Sequence, residues 1–163
     1  MAKKKRKSPS RAARPAPTRM LVVEARYYEH IADALLGGAT GTLEGSGVAY
    51  EVMTVPGALE IPAAIAMALD AAARKRTPFD GVVALGCVIA GETYHFEVVS
   101  NESARGLAEI ALARQIPLGN GILTVENEAQ ALARSGGDRG NKGTEAAKAA
   151  LAMLAIKRGL AES

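Results

Sequence analysis

Gly81-Val82-Val83-Ala84-Leu85-Gly86-Cys87-Val88-Ile89-Ala90-Gly91-Glu92-Thr93-Tyr94-His95-Phe96 is the stretch that decides the fold of this chain. From Gly81 to Ile89 it is an unbroken apolar run, and Gly91 closes it. A strand that is wet on one face alternates polar and apolar residues. A run without a polar position predicts a strand covered on both faces, as in parallel sheets with helices above and below. A short polar turn follows, and then helical spacing from about Phe96 to Arg114. In such sheets ligands bind where strands end and helix N-termini begin. One of the two histidines of the chain, His95, stands at that junction. An imidazole there is a candidate general acid or base. Thr93 and the neighbouring backbone N–H groups are candidates to hold an anion.

The same alternation extends in both directions. Met20–Glu24 reads as a strand, Glu29 to about Leu43 as a helix with Ile31, Leu35 and Leu36 on one face, and Ala49–Val55 as a second strand. Pro56-Gly57 turns the chain, and Pro62 suits the first turn of a helix that ends near Arg74 and Lys75, whose charges favour a helix C-terminus. After the Gly81–Ile89 strand and its helix, Pro117 precedes a fourth strand, Leu118–Val125, a position proline tolerates better than a strand interior. Glu126–Arg134 reads as a short helix and Ser135–Gly140 as a flexible break. Asn141 is placed to cap a last helix running to about Leu160. The expected fold class is α/β: a three-layer sandwich with a four-stranded parallel sheet flanked by helices.

Charge is unevenly placed. Lys3, Lys4, Lys5, Arg6, Lys7, Arg11, Arg14 and Arg19 precede residue 20 with no acid among them, leaving 12 basic against 17 acidic residues, a formal −5, in the rest of the chain. Residues 1–18 are therefore expected to be a disordered basic tail with nothing to bury, and residues 19–163 the folded domain. The Lys3–Lys7 cluster has the composition of a nuclear-import or nucleic-acid patch, and its plain reading is a solvated tail. It lacks aromatic residues for base stacking, so no specific nucleic-acid partner is expected. No apolar run approaches the roughly 20 residues of a membrane span, and Met1–Pro17 lacks the apolar core of a secretory signal. The single cysteine, Cys87, excludes an internal disulfide, and its apolar setting predicts inert packing. The expected compartment is cytoplasmic. No His/Cys cluster has metal-ligand spacing, and neither a Gly-x-Gly-x-x-Gly turn nor a phosphate loop ending in Gly-Lys-Ser/Thr is present.

Gly86-Cys87-Val88-Ile89-Ala90-Gly91-Glu92-Thr93-Tyr94-His95-Phe96-Glu97 resembles one family closely, the 6,7-dimethyl-8-ribityllumazine synthases of riboflavin biosynthesis. Their pattern is Leu-Gly-x-Val-Ile-Arg-Gly-x-Thr-x-His-Phe-Asp/Glu. Further matches lie along the chain in the family's order: Ala25-Arg26-Tyr27, Val55-Pro56-Gly57-Ala58-Leu59-Glu60-Ile61-Pro62, Gly121-Ile122-Leu123-Thr124-Val125-Glu126-Asn127, Gln130 with Arg134, and Asn141-Lys142-Gly143. The resemblance spans about Arg19 to Leu160 and implies a flavodoxin-like fold. It implies condensation of 5-amino-6-(D-ribitylamino)uracil with 3,4-dihydroxy-2-butanone 4-phosphate. That reaction requires no metal and no redox cofactor.

Residue by residue, the resemblance makes His95 the proton-transfer group and Arg134 the phosphate anchor. A guanidinium grips phosphate through paired charge-assisted bonds. Glu92 and Thr93 meet the phosphate through backbone, since the Glu92 carboxylate would repel it. Lys142 assists nearby. Tyr27 stacks on the heterocycle. Ala58 and Leu59 line the pyrimidine side, with Glu60 accepting bonds from the ribityl hydroxyls. Cys87, Val88 and Ile89 offer backbone groups to the pyrimidine edge. Asn120 stands where many members have phenylalanine. His30, outside any motif, reads as a surface histidine. Two residues depart from the pattern: Ala90 replaces an arginine, and Tyr28 an asparagine frequent elsewhere in the family.

The resemblance further implies a homopentamer with sites between subunits, one neighbour supplying Tyr27, Glu60 and His95 and the other Asn120 and Arg134. Some members close twelve such rings into a 60-subunit shell. The stretch Gly136–Asn141 has the length of the link that bends in those members but a different middle, which favours the free ring. Riboflavin synthase, which consumes the product, is a candidate partner. The competing readings are a non-catalytic flavin- or lumazine-binding or shell-forming member, and a tail that binds polyanions without sequence preference.

Overall fold

The computed structural model describes residues 16–163. The expected disordered tail lies, up to residue 15, outside the described residues. The chain runs β1 (Arg19–Ala25), α1 (Glu29–Gly45), β2 (Ala49–Val55), a 3-10 turn (Ala58–Glu60), α2 (Ile61–Arg74), β3 (Gly81–Ile89), α3 (His95–Arg114), β4 (Leu118–Val125), α4 (Glu128–Arg134), two short strands β5 (Ser135–Gly137) and β6 (Gly140–Asn141), and α5 (Lys142–Glu162). The first four strands form one parallel sheet in the order β2-β1-β3-β4. This is the strand order with which the flavodoxin-like arrangement begins.

The continuous apolar runs are explained by burial on both faces. Along β3, Val82 and Ala84 enter one core with Leu21 and Val23 of β1 and Ile61 and Ile65 of α2. The alternate residues Val83 and Leu85 enter a second core with Met20, Val22, Leu43 of α1 and Ala147 of α5. Side chains alternate across a strand, so a stretch such as Val82–Leu85 that feeds two cores in turn leaves no position for water-facing polar residues. At the other extreme is the edge strand β2, where Glu51, Val52, Met53 and Thr54 are all exposed.

The abundance of alanine and glycine has a structural reason. Helix α5 lies so close to β4 that a Cβ on Gly119 would sit 1.8 Å from the Ala146 carbonyl oxygen, and one on Gly143 would sit 2.0 Å from the Leu35 carbonyl oxygen of α1. Ala146, Ala147 and Ala150 complete the contact. Small residues let backbones approach, and the layers stay thin.

Beyond shifts of one or two residues at element ends, two stretches call for comment against the sequence expectation. Ser135–Gly140 is not a loose break. Ser135–Gly137 and Gly140–Asn141 pair as an antiparallel ladder with a register irregularity. The turn works because Gly136 (φ 116°) and Gly140 (φ 80°) occupy backbone conformations that other residues avoid. Helix α4 begins two residues late because Asn127 caps it, accepting the Gln130 N–H at 2.9 Å, while the Gln130 amide oxygen accepts the Glu126 N–H at 3.0 Å. Asn141 caps α5 as expected, accepting from Gly143 and Thr144. At the tail junction the Thr18 carbonyl accepts the Ala49 N–H at 3.0 Å and its hydroxyl accepts from Arg158 at 2.9 Å.

Gly119→Ala is expected to lower unfolding stability by more than about 2 kcal/mol, because its methyl would strike backbone rather than a movable side chain. Gly41→Ala, in the interior of α1 with nothing near its Cβ direction, is expected to raise stability by about 0.5–1 kcal/mol through helix propensity. Urea unfolding midpoints of the two variants check the contrast, and equal midpoints would contradict the close α5–β4 approach.

Candidate functional site

The C-terminal ends of β1, β2 and β3 open onto one cavity of about 420 Å³. It is lined by Tyr27 and Tyr28 after β1, Gly57, Ala58, Leu59 and Glu60 after β2, Cys87, Val88 and Ile89 of β3, and His95 and Val99 of α3. Chain order reverses at this place: β2 lies on one side of β1 and β3 on the other. Ligands of such sheets bind in the crevice this reversal leaves.

Sheet register explains why backbone is on offer here. The β1–β3 ladder ends at Glu24↔Leu85, whereas the β3–β4 ladder continues to Ile89↔Val125. On its β1 side, Gly86–Ile89 therefore has no strand partner. The N–H and C=O groups of that edge are obligatory hydrogen-bonding groups with an open cavity beside them. A flat heterocycle carrying amide-like edges can satisfy them. After β2 the chain closes a tight turn, with the Glu60 N–H donating to the Gly57 carbonyl at 3.2 Å. That turn holds the Glu60 carboxylate at the cavity. Tyr27 is 78 % exposed and meets Tyr28 edge-on, ring centroids 4.9 Å apart at 70°. Its ring is thus free to take a ligand against one face.

His95 is the first residue of α3 and is exposed. Among the described residues it has no carboxylate partner. The helix it opens has Tyr94 at its N-cap without a side-chain cap bond. Among the described residues the N–H groups of the first turn have no side-chain acceptor, a setting that favours an anion. Glu92 and Thr93 occupy the exposed bend just before it and are not among the residues lining this cavity.

A second cleft, of about 340 Å³, lies along the edge strand β4. It is lined by Ile122–Val125 together with Gln130, Arg134, Arg139, Lys142 and Glu145. Arg134 ends α4 and donates one bond to the Gln130 carbonyl at 3.1 Å. Among the described residues no carboxylate neutralises it. Lys142 pairs with Glu145 at 3.3 Å. Arg139 was not among the expected site residues, and its position depends on the β5–β6 turn, where its N–H donates to the Ala133 carbonyl at 2.8 Å. Asn120 belongs to neither cleft. It is exposed on β4, and its amide oxygen accepts the Ile122 N–H at 3.0 Å. His30 lies at the surface and pairs with Glu128 at 2.9 Å.

The expected residues thus separate within one chain. Tyr27, Ala58, Leu59, Glu60, Cys87, Val88, Ile89 and His95 share the first cleft, while Arg134 and Lys142 share the second.

The model of the family described as 6,7-dimethyl-8-ribityllumazine synthase matches residues 17–158. The chain belongs to that family. Relatives carrying the same description include proteins of Nitrobacter hamburgensis, 60 % identical over 89 % of each chain, and of Azorhizobium caulinodans, 56 % identical over 94 % of this chain and 95 % of the relative. A protein of Agrobacterium fabrum is 59 % identical over 86 % of this chain and 95 % of its own length. The matched span takes in both clefts.

Cys87 contributes shape to the first cleft. It is half-buried, and burial pushes its thiol up to about 11 from the ordinary 9.0. The thiol form therefore persists throughout the neutral and mildly alkaline range. At pH 8, alkylation by iodoacetamide is expected to be about 100-fold slower in the folded protein than in the unfolded chain, since the thiolate is the reactive form. Equal rates in the two states would contradict the inert role.

Proposed function

We propose that the two clefts are halves of one active site, completed when a second copy of the chain brings its Arg134 cleft against the His95 cleft of the first. The reaction is the one the family is named for: 5-amino-6-(D-ribitylamino)uracil and 3,4-dihydroxy-2-butanone 4-phosphate condense to 6,7-dimethyl-8-ribityllumazine. The observation that carries this reading is the separation of His95 and Arg134 into different clefts of a chain whose family needs both.

In the assembled site the pyrimidine lies against Tyr27, with its polar edge on the open backbone edge of Cys87–Ile89 and its ribityl hydroxyls on Glu60. Ala58 and Leu59 close the apolar side. The butanone phosphate places its phosphate between Arg134, with Lys142 nearby, and the uncapped start of α3 after Glu92 and Thr93. Asn120, on the neighbour's edge strand, borders the heterocycle. The amine of the pyrimidine adds to the ketone and water leaves, giving an imine. Phosphate is expelled by cleavage of its C–O bond, and ring closure releases a second water. Every step moves protons, and His95 takes and returns them. An imidazole can both accept and donate a proton, which the alternating proton transfers require. Arg134 stabilises the charge that grows on the departing phosphate.

The assembly we infer is a homopentamer in the cytoplasm, with the free ring favoured over a 60-subunit shell and riboflavin synthase as the consumer of the product. Exposed apolar side chains support contact between copies: Val52 and Met53 on β2, Val98 and Leu112 on α3, and Ile156 on α5. On α3 only Val99, Ser103 and Leu107 are buried in the single chain, which leaves the rest of this 20-residue helix available to neighbours.

Two substitutions separate the roles. His95→Ala is expected to lower kcat by about 10- to 1,000-fold with the fold intact, within or just below what one positioned proton-transfer group typically gives. Arg134→Ala is expected mainly to raise KM for the butanone phosphate. Steady-state kinetics with each substrate varied in turn checks both. An unchanged kcat for His95→Ala, or an Arg134→Ala loss confined to the pyrimidine, would contradict the assignment.

A further inference from the structure

Glu24 is a charged residue that the reaction does not use, yet it is 3 % exposed on the penultimate position of β1. A buried carboxylate is costly unless it is paired and hydrogen-bonded. Glu24 has both kinds of partner. Thr54 of the neighbouring β2 donates its hydroxyl to Oε1 at 3.1 Å, and Nη1 of Arg26 donates to Oε1 at 3.1 Å and to Oε2 at 3.0 Å. The same guanidinium reaches forward into α1. Its Nε donates to Glu29 Oε2 at 3.0 Å, its Nη2 pairs with that oxygen at 2.9 Å, and Nη2 also donates to Asp33. One arginine thus ties the end of a buried strand to the first two turns of the helix after it.

The segment between those anchors is short. Only Arg26, Tyr27 and Tyr28 separate β1 from α1. Helix α1 does not secure its own start. Its N-cap is Tyr28 in an extended conformation (φ −113°, ψ 97°), without a side-chain cap bond. Tyrosine lacks the short oxygen-bearing side chain that caps a helix. The loop that carries Tyr27 is held by the Arg26 clamp on one side and by Tyr28 on the other, which packs against the core of Ile31, Leu35 and Leu123 and meets Tyr27 edge-on. Asp33, Glu29 and Glu24, in that order, hold the guanidinium's pKa above its ordinary value. Without the guanidinium, three carboxylates would stand together, one of them buried.

We propose that Arg26 is a positioning residue, clamping Glu24, Glu29 and Asp33 so that the β1–α1 loop presents Tyr27 to the pyrimidine. The proposal rests on the reading of Tyr27 as the stacking residue. Arginine suits the role because its planar fork spans three carboxylates at fixed angles, which an ammonium does not do.

A double-mutant cycle on the assembled enzyme tests it, with Arg26→Ala, Tyr27→Ala and the double variant compared in steady-state kinetics. Arg26→Ala is expected to raise KM for the ribitylaminouracil by about tenfold, with kcat and KM for the butanone phosphate unchanged, as for a stacking group displaced rather than removed. Added to Tyr27→Ala, it is expected to change KM by less than about twofold, because the residue it positions is gone. Arg26→Lys, which keeps a cation beside Glu24, is expected to fall between wild type and Arg26→Ala, and it serves as the probe if Arg26→Ala does not assemble. An Arg26→Ala KM equal to wild type overturns the proposal. So does a loss that adds in full to that of Tyr27→Ala, or one that falls equally on both substrates, as a general structural defect would. If Tyr27→Ala itself leaves the pyrimidine KM unchanged, the stacking reading fails instead.

Discussion

Burial of β3 on both faces is the constraint on which the rest of the structure depends. Two cores grip the strand, one through Val82 and Ala84 and the other through Val83 and Leu85. The strand then runs past Leu85, its last residue paired with β1, while β4 continues beside it to Ile89. A rigid strand with one unpaired edge at its C-terminal end is a preformed recognition surface. It costs little to order on binding, since the two cores have already fixed it. The turns after β1 and β2 and the start of α3 need only surround that edge.

The same architecture accounts for the separation of the two clefts in one chain. The cleft of Tyr27, Glu60 and His95 is built by the segments that leave the C-terminal ends of β1, β2 and β3. Arg134 and Lys142 belong to α4 and the start of α5 and line a separate cleft together with residues of the edge strand β4. Under the proposed shared site, a proton carrier and a phosphate anchor on one substrate would be brought together by symmetry, each copy lending its second cleft to the next.

The strands were legible because their signals are local. The Ala49–Val55 and Leu118–Val125 ranges coincide with the observed elements, since turn residues bound them and apolar content fills them. The residues of the first cleft were legible through the family motif. Their shared cavity also agrees with a general rule about strand ends. Less legible was the Ser135–Asn141 ladder: three glycines in seven residues resemble a flexible linker, and only the positive φ values of Gly136 and Gly140 reveal a defined turn. Arg139 was missed for the same reason, because it enters the second cleft on that turn. The Arg26 clamp was not legible at all. Its partners Glu24 and Thr54 come together only through the β1–β2 register, and a glutamate inside an apolar strand gives no hint of which cation will cover it.

The central claim is that each site draws His95 from one chain and Arg134 from another, and complementation between two damaged chains tests it most directly. His95→Ala and Arg134→Ala chains are co-expressed in equal amounts, and the mixed assemblies are assayed at substrate concentrations where each variant alone is slow. Random assembly into a ring leaves about a quarter of the interfaces with an intact His95 facing an intact Arg134, so about a quarter of wild-type activity is expected to return. Activity no higher than that of the two variants measured separately would mean that both residues serve within a single chain, and would contradict the shared site.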